Sequence, residues 1–153
     1  MNEQRDARLL IAEDEANLRL VLQKELQRLG YRVQVAPDGE AALRKLEETN
    51  VDVLLCDINM PHLDGMELLR RVHERPNPPE VIMLTGQGTI ENAVEAMRIG
   101  AYDYLTKPYS INELDVRVRQ AAEKRSLRVT NQRLRAQIER QSAVPEIIAV
   151  RWR

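Results

Sequence analysis

The chain has 153 residues, room for one ordinary domain and an appendage. Hydrophobic residues make up 43%, enough for a buried core, and 23 Lys and Arg against 24 Asp and Glu leave a formal charge of -1, without the basic excess of a nucleic-acid binder. No apolar run approaches the roughly 18 residues of a membrane span, residues 1–8 are polar rather than signal-like, and the single cysteine, Cys56, fits a reducing cytoplasm.

In chain order, short apolar runs alternate with amphipathic stretches. Residues 9–12, 31–35, 51–56, 81–84 and 102–105 read as five strands, three of them solidly apolar, as parallel strands covered on both faces are. Between the first two, residues 17–29 place Leu18, Val21, Leu22, Leu26 and Leu29 on one helical stripe that stops at Gly30. Asp38 caps a second helix through Ala41, Leu43 and Leu46. Residues 64–74 offer Met66, Leu69 and Val72; residues 89–99 carry Ala93, Val94, Ala96 and Met97 and stop at Gly100. Ser110 and Glu113 form a capping box that opens the last helix. Five strands alternating with five helices make a doubly wound α/β sheet the economical solution, with its ligand site beyond the carboxyl ends of the strands.

The chemistry-bearing residues fall at those ends. Strand one ends in Glu13 and Asp14, strand three in Asp57, strand four in Thr85 and strand five in Thr106 and Lys107. Three carboxylates gathered on one patch repel unless a cation joins them, and an all-oxygen donor set favours Mg²⁺. Asp14 and Asp57 are the expected direct ligands with the Asn59 backbone carbonyl as a third, and Glu13 acts through water. Lys107 adds a positive charge and Thr85 a hydroxyl, so the patch suits a phosphoryl group, whose equatorial oxygens need neutralising. Asp57 ends a fully apolar strand and is the candidate nucleophile, forming an acyl phosphate. Cys56, Met60, Met66, Met83 and Met97 read as core, and His62 and His73 as solvated surface.

The segments LLIAEDE, VDVLLCDINMPHLDGMELL, VIMLTGQGT and AYDYLTKPYS resemble the response-regulator receiver family, over about residues 7–125. The resemblance implies a flavodoxin-like domain of strand order 2-1-3-4-5 whose Asp57 accepts phosphate from a sensor histidine kinase with Mg²⁺. It carries family roles onto Glu13, Asp14, Asp57, Thr85 and Lys107, and implies a cis Lys107–Pro108 bond. Glu13 stands where many members have Asp; the longer side chain is expected to alter metal affinity, and Glu is an accepted variant in the family. Tyr104 matches the family's rotating aromatic and Thr85 its partner, although Tyr104 on its own reads equally as a cap of the sheet edge with its hydroxyl in water. The responding face would be the fourth helix, fifth strand and fifth helix. Asn59 and Gln87 stand where the family tunes phosphoryl lifetime.

The last helix continues past the domain, through Gln141, without Gly or Pro. Leu127, Asn131, Leu134, Ile138 and Gln141 are spaced as a coiled-coil seam, Asn131 being the polar core position that fixes a parallel two-stranded register. The expected organisation is a receiver over residues 1–124, a coiled-coil linker over 125–143 and a stub over 144–153 that opens a following domain. Arg125, Arg128, Arg133, Arg135 and Arg140 read as the solvated outside of the coil rather than a DNA-binding face. The stretch GTIENAVEAMRIGAYDYLTKP and the helical extension resemble the NtrC-like, sigma-54-dependent regulators, in which a receiver and linker precede an output module. The expectation is therefore a homodimeric phosphoacceptor switch rather than an enzyme. Two alternatives stand beside it: a stand-alone receiver in a phosphorelay, and a Mg²⁺-dependent aspartyl-phosphate phosphatase. The phosphatase is disfavoured because Asn59 occupies the place of its general-acid Asp.

Overall fold

The computed structural model describes residues 6–86 and 89–152, with side chains to residue 141. Strands and helices alternate as β1 (Arg8–Ala12), α1 (Ala16–Arg28), β2 (Arg32–Ala36), α2 (Gly39–Glu48), β3 (Val53–Asp57), α3 (Gly65–His73), β4 (Glu80–Thr85), α4 (Ile90–Ile99), β5 (Asp103–Thr106) and α5 (Ile111–Trp152). All four strand pairings are parallel and the order is β2-β1-β3-β4-β5. The doubly wound sheet is as expected, with its reversal of direction between β1 and β3.

Helices cover both faces of the sheet, and the alternation of side chains along each strand sorts the core into two layers. Leu10, Leu54, Cys56, Val81 and Met83 face α2, α3 and α4 through Ala42, Leu68, Leu69, Val72 and Ala96. Leu9, Ile11, Val53, Leu55, Ile82 and Leu84 face α1 and α5 through Leu22, Leu26, Leu114, Val118, Ala121 and Ala122. Every residue of β3 and β4 is buried, which explains why these runs read as solidly apolar. Asp38 and Ser110 cap α2 and α5 as the sequence indicates, and Asp64 and Thr89 do the same for α3 and α4: each accepts from the backbone N–H three residues on.

Three expected core residues lie outside the core. Val21 is exposed because it stands about 100° around α1 from Leu22 and looks onto the groove beside Lys107, Pro108 and Tyr109. Val94 and Met97 are also exposed, since α4 sits on the sheet through the small Ala96 and turns Ile90, Val94 and Met97 away together. Tyr31 and Tyr102 precede their strands rather than opening them; the Tyr31 hydroxyl donates to Asp115 on α5 at 2.5 Å, and the Tyr102 N–H to the Val81 carbonyl at 2.7 Å.

The last helix is longer than its pattern suggested. It runs unbroken to Trp152, through the span expected as a helical linker and on beyond Gln141. Arg125 and Arg128, expected on the outside of a coil, instead reach back to the receiver body and are held by Asp52, Asn50, Glu80 and the carbonyls of residues 77 and 78. The reason is rotational: they continue the stripe of Leu114, Val118 and Ala121 that faces the sheet. Arg133, Arg135 and Arg140 are exposed, as expected.

Candidate functional site: an acidic pocket at the strand ends

Register brings the predicted residues to one rim. Ala12 pairs with Cys56, so Glu13 and Asp14 leave β1 level with Asp57, and Asp57 in turn pairs with Leu84, one residue before Thr85. Thr85 pairs with Thr106, and the Lys107 N–H donates to the Thr85 carbonyl at 2.7 Å, which pins the β5 end to the β4 end. The following Lys107–Pro108 bond is cis, as the family resemblance implied.

Carboxylate oxygens of Glu13, Asp14 and Asp57 lie within 4.8 Å of one another. Glu13 and Asp57 are buried and Asp14 is exposed, so the pocket is open on one side. Burial, then a hydrogen bond with Asp57 and repulsion by its charge, pushes the Glu13 carboxyl up to about 8, while the Lys107 ammonium pulls it the other way. Lys107 thus stands close enough to act on the cluster. The Asp57 Oδ1 accepts from the Asn59 N–H at 3.2 Å, which orients the carboxylate at the mouth of the loop leading to α3. A hard cation fits these residues: the donors are all oxygen, they converge from two chain segments, and their crowding is unfavourable without a positive charge.

Thr85 is fully buried behind this rim. Tyr104 is half-buried with its hydroxyl in the interior; that oxygen makes no hydrogen bond of ordinary geometry, though Thr85 and the Thr89 backbone lie near it. Burial raises the Tyr104 phenol above its ordinary value, and those two neighbours draw it back. The alternative of an edge cap with its hydroxyl in water is therefore overturned. Gln87 lies outside the described residues. Leu127, Leu134 and Ile138 are exposed along α5, as is Asn131.

Two further residues, outside the set the sequence points to, shape the site. The Arg19 guanidinium, from α1, donates to the Glu13 carbonyl at 2.8 Å and to the Asp14 carbonyl at 3.4 Å, bracing the turn that carries both carboxylates. Gly65 opens α3 against Asp57 so closely that a Cβ there would come within 2.3 Å of the Asp57 carbonyl oxygen. The Asp64-Gly65 pair was the available signal for it. Arg19 lies near the start of α1 and carries no such mark.

The model of the response regulator receiver domain family matches residues 9–119, and the chain belongs to that family, the receivers of two-component response regulators. It is similar to the regulatory protein AtoC of Escherichia coli, 36% identical over 121 residues that make up 79% of this chain and 26% of AtoC. Among solved structures, it superposes on the receiver domain of the Francisella response regulator 1452 with TM-score 0.73 at 34% identity, covering 77% of this chain and 98% of that one. Superposition on NtrX from Brucella abortus, solved in complex with ATP, has TM-score 0.77 at 30% identity and covers 84% of this chain and 30% of that one. The likeness to NtrX agrees with the resemblance to NtrC-like regulators. The chain spans about a quarter to a half of the length of the curated relatives it matches. Among the described residues, no helix is long and apolar enough to cross a membrane.

Proposed function

We propose that this chain is the phosphoacceptor switch of a cytoplasmic transcription regulator, with Asp57 receiving the phosphoryl group of a sensor histidine kinase. The observation that carries the reading is the convergence of the Glu13, Asp14 and Asp57 carboxylates within 4.8 Å at the end of the central strand. Mg²⁺, when bound by Asp14, Asp57 and the Asn59 carbonyl with Glu13 alongside through water, supplies charge neutralisation for the transferring group. The residues of the chain do the rest. A carboxylate oxygen of Asp57 forms the P–O bond as the N–P bond of the phosphohistidine breaks, and the departing imidazole keeps the electron pair. Lys107 offers its ammonium to one equatorial oxygen and Thr85 its hydroxyl to another. Asn59, at the mouth of the site, and Gln87, two residues beyond Thr85 in the sequence, tune how readily water reaches the acyl phosphate.

The switch follows from packing. The Tyr104 hydroxyl is set inward with Thr85 beside it, so drawing Thr85 toward a phosphoryl oxygen changes the space that the ring occupies. The responding face carries Ile90, Val94, Met97 and Val116 exposed in α4 and α5, apolar surface suited to a partner that comes and goes. The seam of Leu127, Asn131, Leu134 and Ile138 pairs two copies in parallel, and phosphorylation repacks that dimer to control an output module. The chain itself contacts no nucleic acid and turns over no external substrate, catalysing only its own phosphorylation and dephosphorylation.

Incubation with acetyl phosphate and Mg²⁺ should add one phosphate by intact mass, and Asp57→Asn should abolish it. Labelling that survives this substitution overturns the assignment, and repeated turnover of a phosphomonoester would instead make the chain a phosphatase.

A further inference from the structure

The strongest polar cluster outside the phosphoryl pocket lies at the opposite rim, where α5 leaves the receiver. Arg125 is buried, and its guanidinium is nearly saturated with acceptors. Nη1 donates to Asp52 Oδ1 at 2.9 Å, Nη2 to Asn50 Oδ1 and to the Asn77 carbonyl, both at 3.1 Å, and Nε to the Pro78 carbonyl at 3.4 Å. Asp52 is itself held, its other oxygen accepting from the Arg8 N–H at 2.9 Å. One turn on, Arg128 donates to the Pro78 carbonyl and stands 3.5 Å from the buried Glu80 carboxylate, which Lys124 also approaches at 3.6 Å. Lys124 lies over the Tyr102 ring at 5.5 Å from its centroid. A planar fork that reaches four acceptors from two chain segments, residues 50–52 and 77–78, determines the angle of the helix as well as its proximity.

We propose that Arg125, supported by Arg128, is a clamp that sets the rotation of α5 on its own receiver, so that the seam faces away from the body and toward a second copy. At about 100° per residue, Leu114, Val118, Ala121, Ala122, Arg125 and Arg128 fall on one face of the helix. Leu127, Asn131, Leu134 and Ile138 fall on the opposite one, as does the exposed Val116 nearer the phosphoryl end. In a pair the two receivers then flank the coil, and a change at either receiver reaches the seam as a turn of the whole helix rather than a bend at a joint. The clamp holds an element that would not hold itself: residues 130–141 are exposed throughout, and a lone helix of that length is marginal in water. The part about the second copy rests on the dimer proposed above; the clamp itself does not.

The test uses the whole chain in two measurements. Hydrogen exchange should show the amides of residues 126–141 opening about tenfold or more faster in Arg125→Ala, with phosphorylation of Asp57 and exchange of the sheet unchanged. Arg125→Lys should fall between, because an ammonium cannot serve four acceptors at once, and Arg133→Ala should match the parent. Exchange in Arg125→Ala equal to the parent overturns the clamp; if that variant fails to fold, the same criterion applies to Arg125→Lys. In the second measurement, a short bismaleimide should link two copies through Leu127→Cys on the outward face and not through Arg133→Cys, with the preference lost when Arg125→Ala is added. Equal linking at both positions overturns the fixed rotation. Linking at neither position, with a monomeric mass, overturns the dimer and leaves hydrogen exchange to judge the clamp.

Discussion

Glu13 concentrates the electrostatic problem of the site in one side chain. It stands where a shorter Asp is common, is buried, and faces the charge of Asp57, so in the metal-free protein its carboxyl is raised from 4.5 to about 8. Between those two values the folded chain keeps a proton that the unfolded chain has released. The contribution of Glu13 to stability is therefore full below pH 4.5 and is lost as pH climbs through about 8, by an amount on the order of a few kcal/mol. Thermal unfolding in EDTA should show this decline, and Glu13→Gln, which cannot ionise, should flatten it. Mg²⁺ should raise the melting temperature most at the upper end of the window, where the carboxylates it joins are all charged. A decline as steep in Glu13→Gln as in the parent would show that Glu13 does not carry it.

Among the elements, the approach of α3 to β3 decides where Asp57 points. A Cβ at Gly65 would meet the Asp57 carbonyl oxygen at 2.3 Å and the Ile58 Cα at 2.7 Å, both backbone atoms that cannot step aside. Gly65→Ala should therefore cost about 1–3 kcal/mol or more by urea denaturation and slow phosphorylation by acetyl phosphate, because the strand end itself must shift. At Gly86 a Cβ would meet, among the described residues, only the flexible Lys107 Cδ, at 3.6 Å, so Gly86→Ala should leave stability nearly unchanged. Equal losses in the two variants would mean that the β3–α3 contact is not tight. The contrast also shows what the sequence can reveal. The strands and the four reactive ends were legible because a parallel sheet converts apolar runs into buried strands and puts their carboxyl ends on one rim. Val21, Val94 and Met97 were misplaced because a helical stripe gives direction without saying how wide the covering sheet is. Arg19, Gly65 and Arg125 act through contacts with the backbone of distant or adjoining segments, and such contacts leave no periodic trace.

For the molecule as a whole, the decisive question is what the exposed half of α5 does. Its exposed large apolar residues, Leu127, Leu134 and Ile138, lie on one side of the helix, and Asn131 interrupts them. In a coiled coil a polar core residue lowers stability but penalises every register in which it fails to meet its twin. Two receivers clamped to their helices need that register, since a slip of one heptad would carry one receiver past the other. Asn131→Leu should thus strengthen association in sedimentation equilibrium while relaxing its specificity, with species larger than a dimer or antiparallel pairs appearing. Leu134→Arg, which puts a charge on the same face, should yield a monomer that still takes one phosphate at Asp57. Were Asn131→Leu to leave the association constant unchanged, position 131 would lie outside the contact, and the face joining two copies would have to be sought at Ile90, Val94, Met97 and Val116 instead.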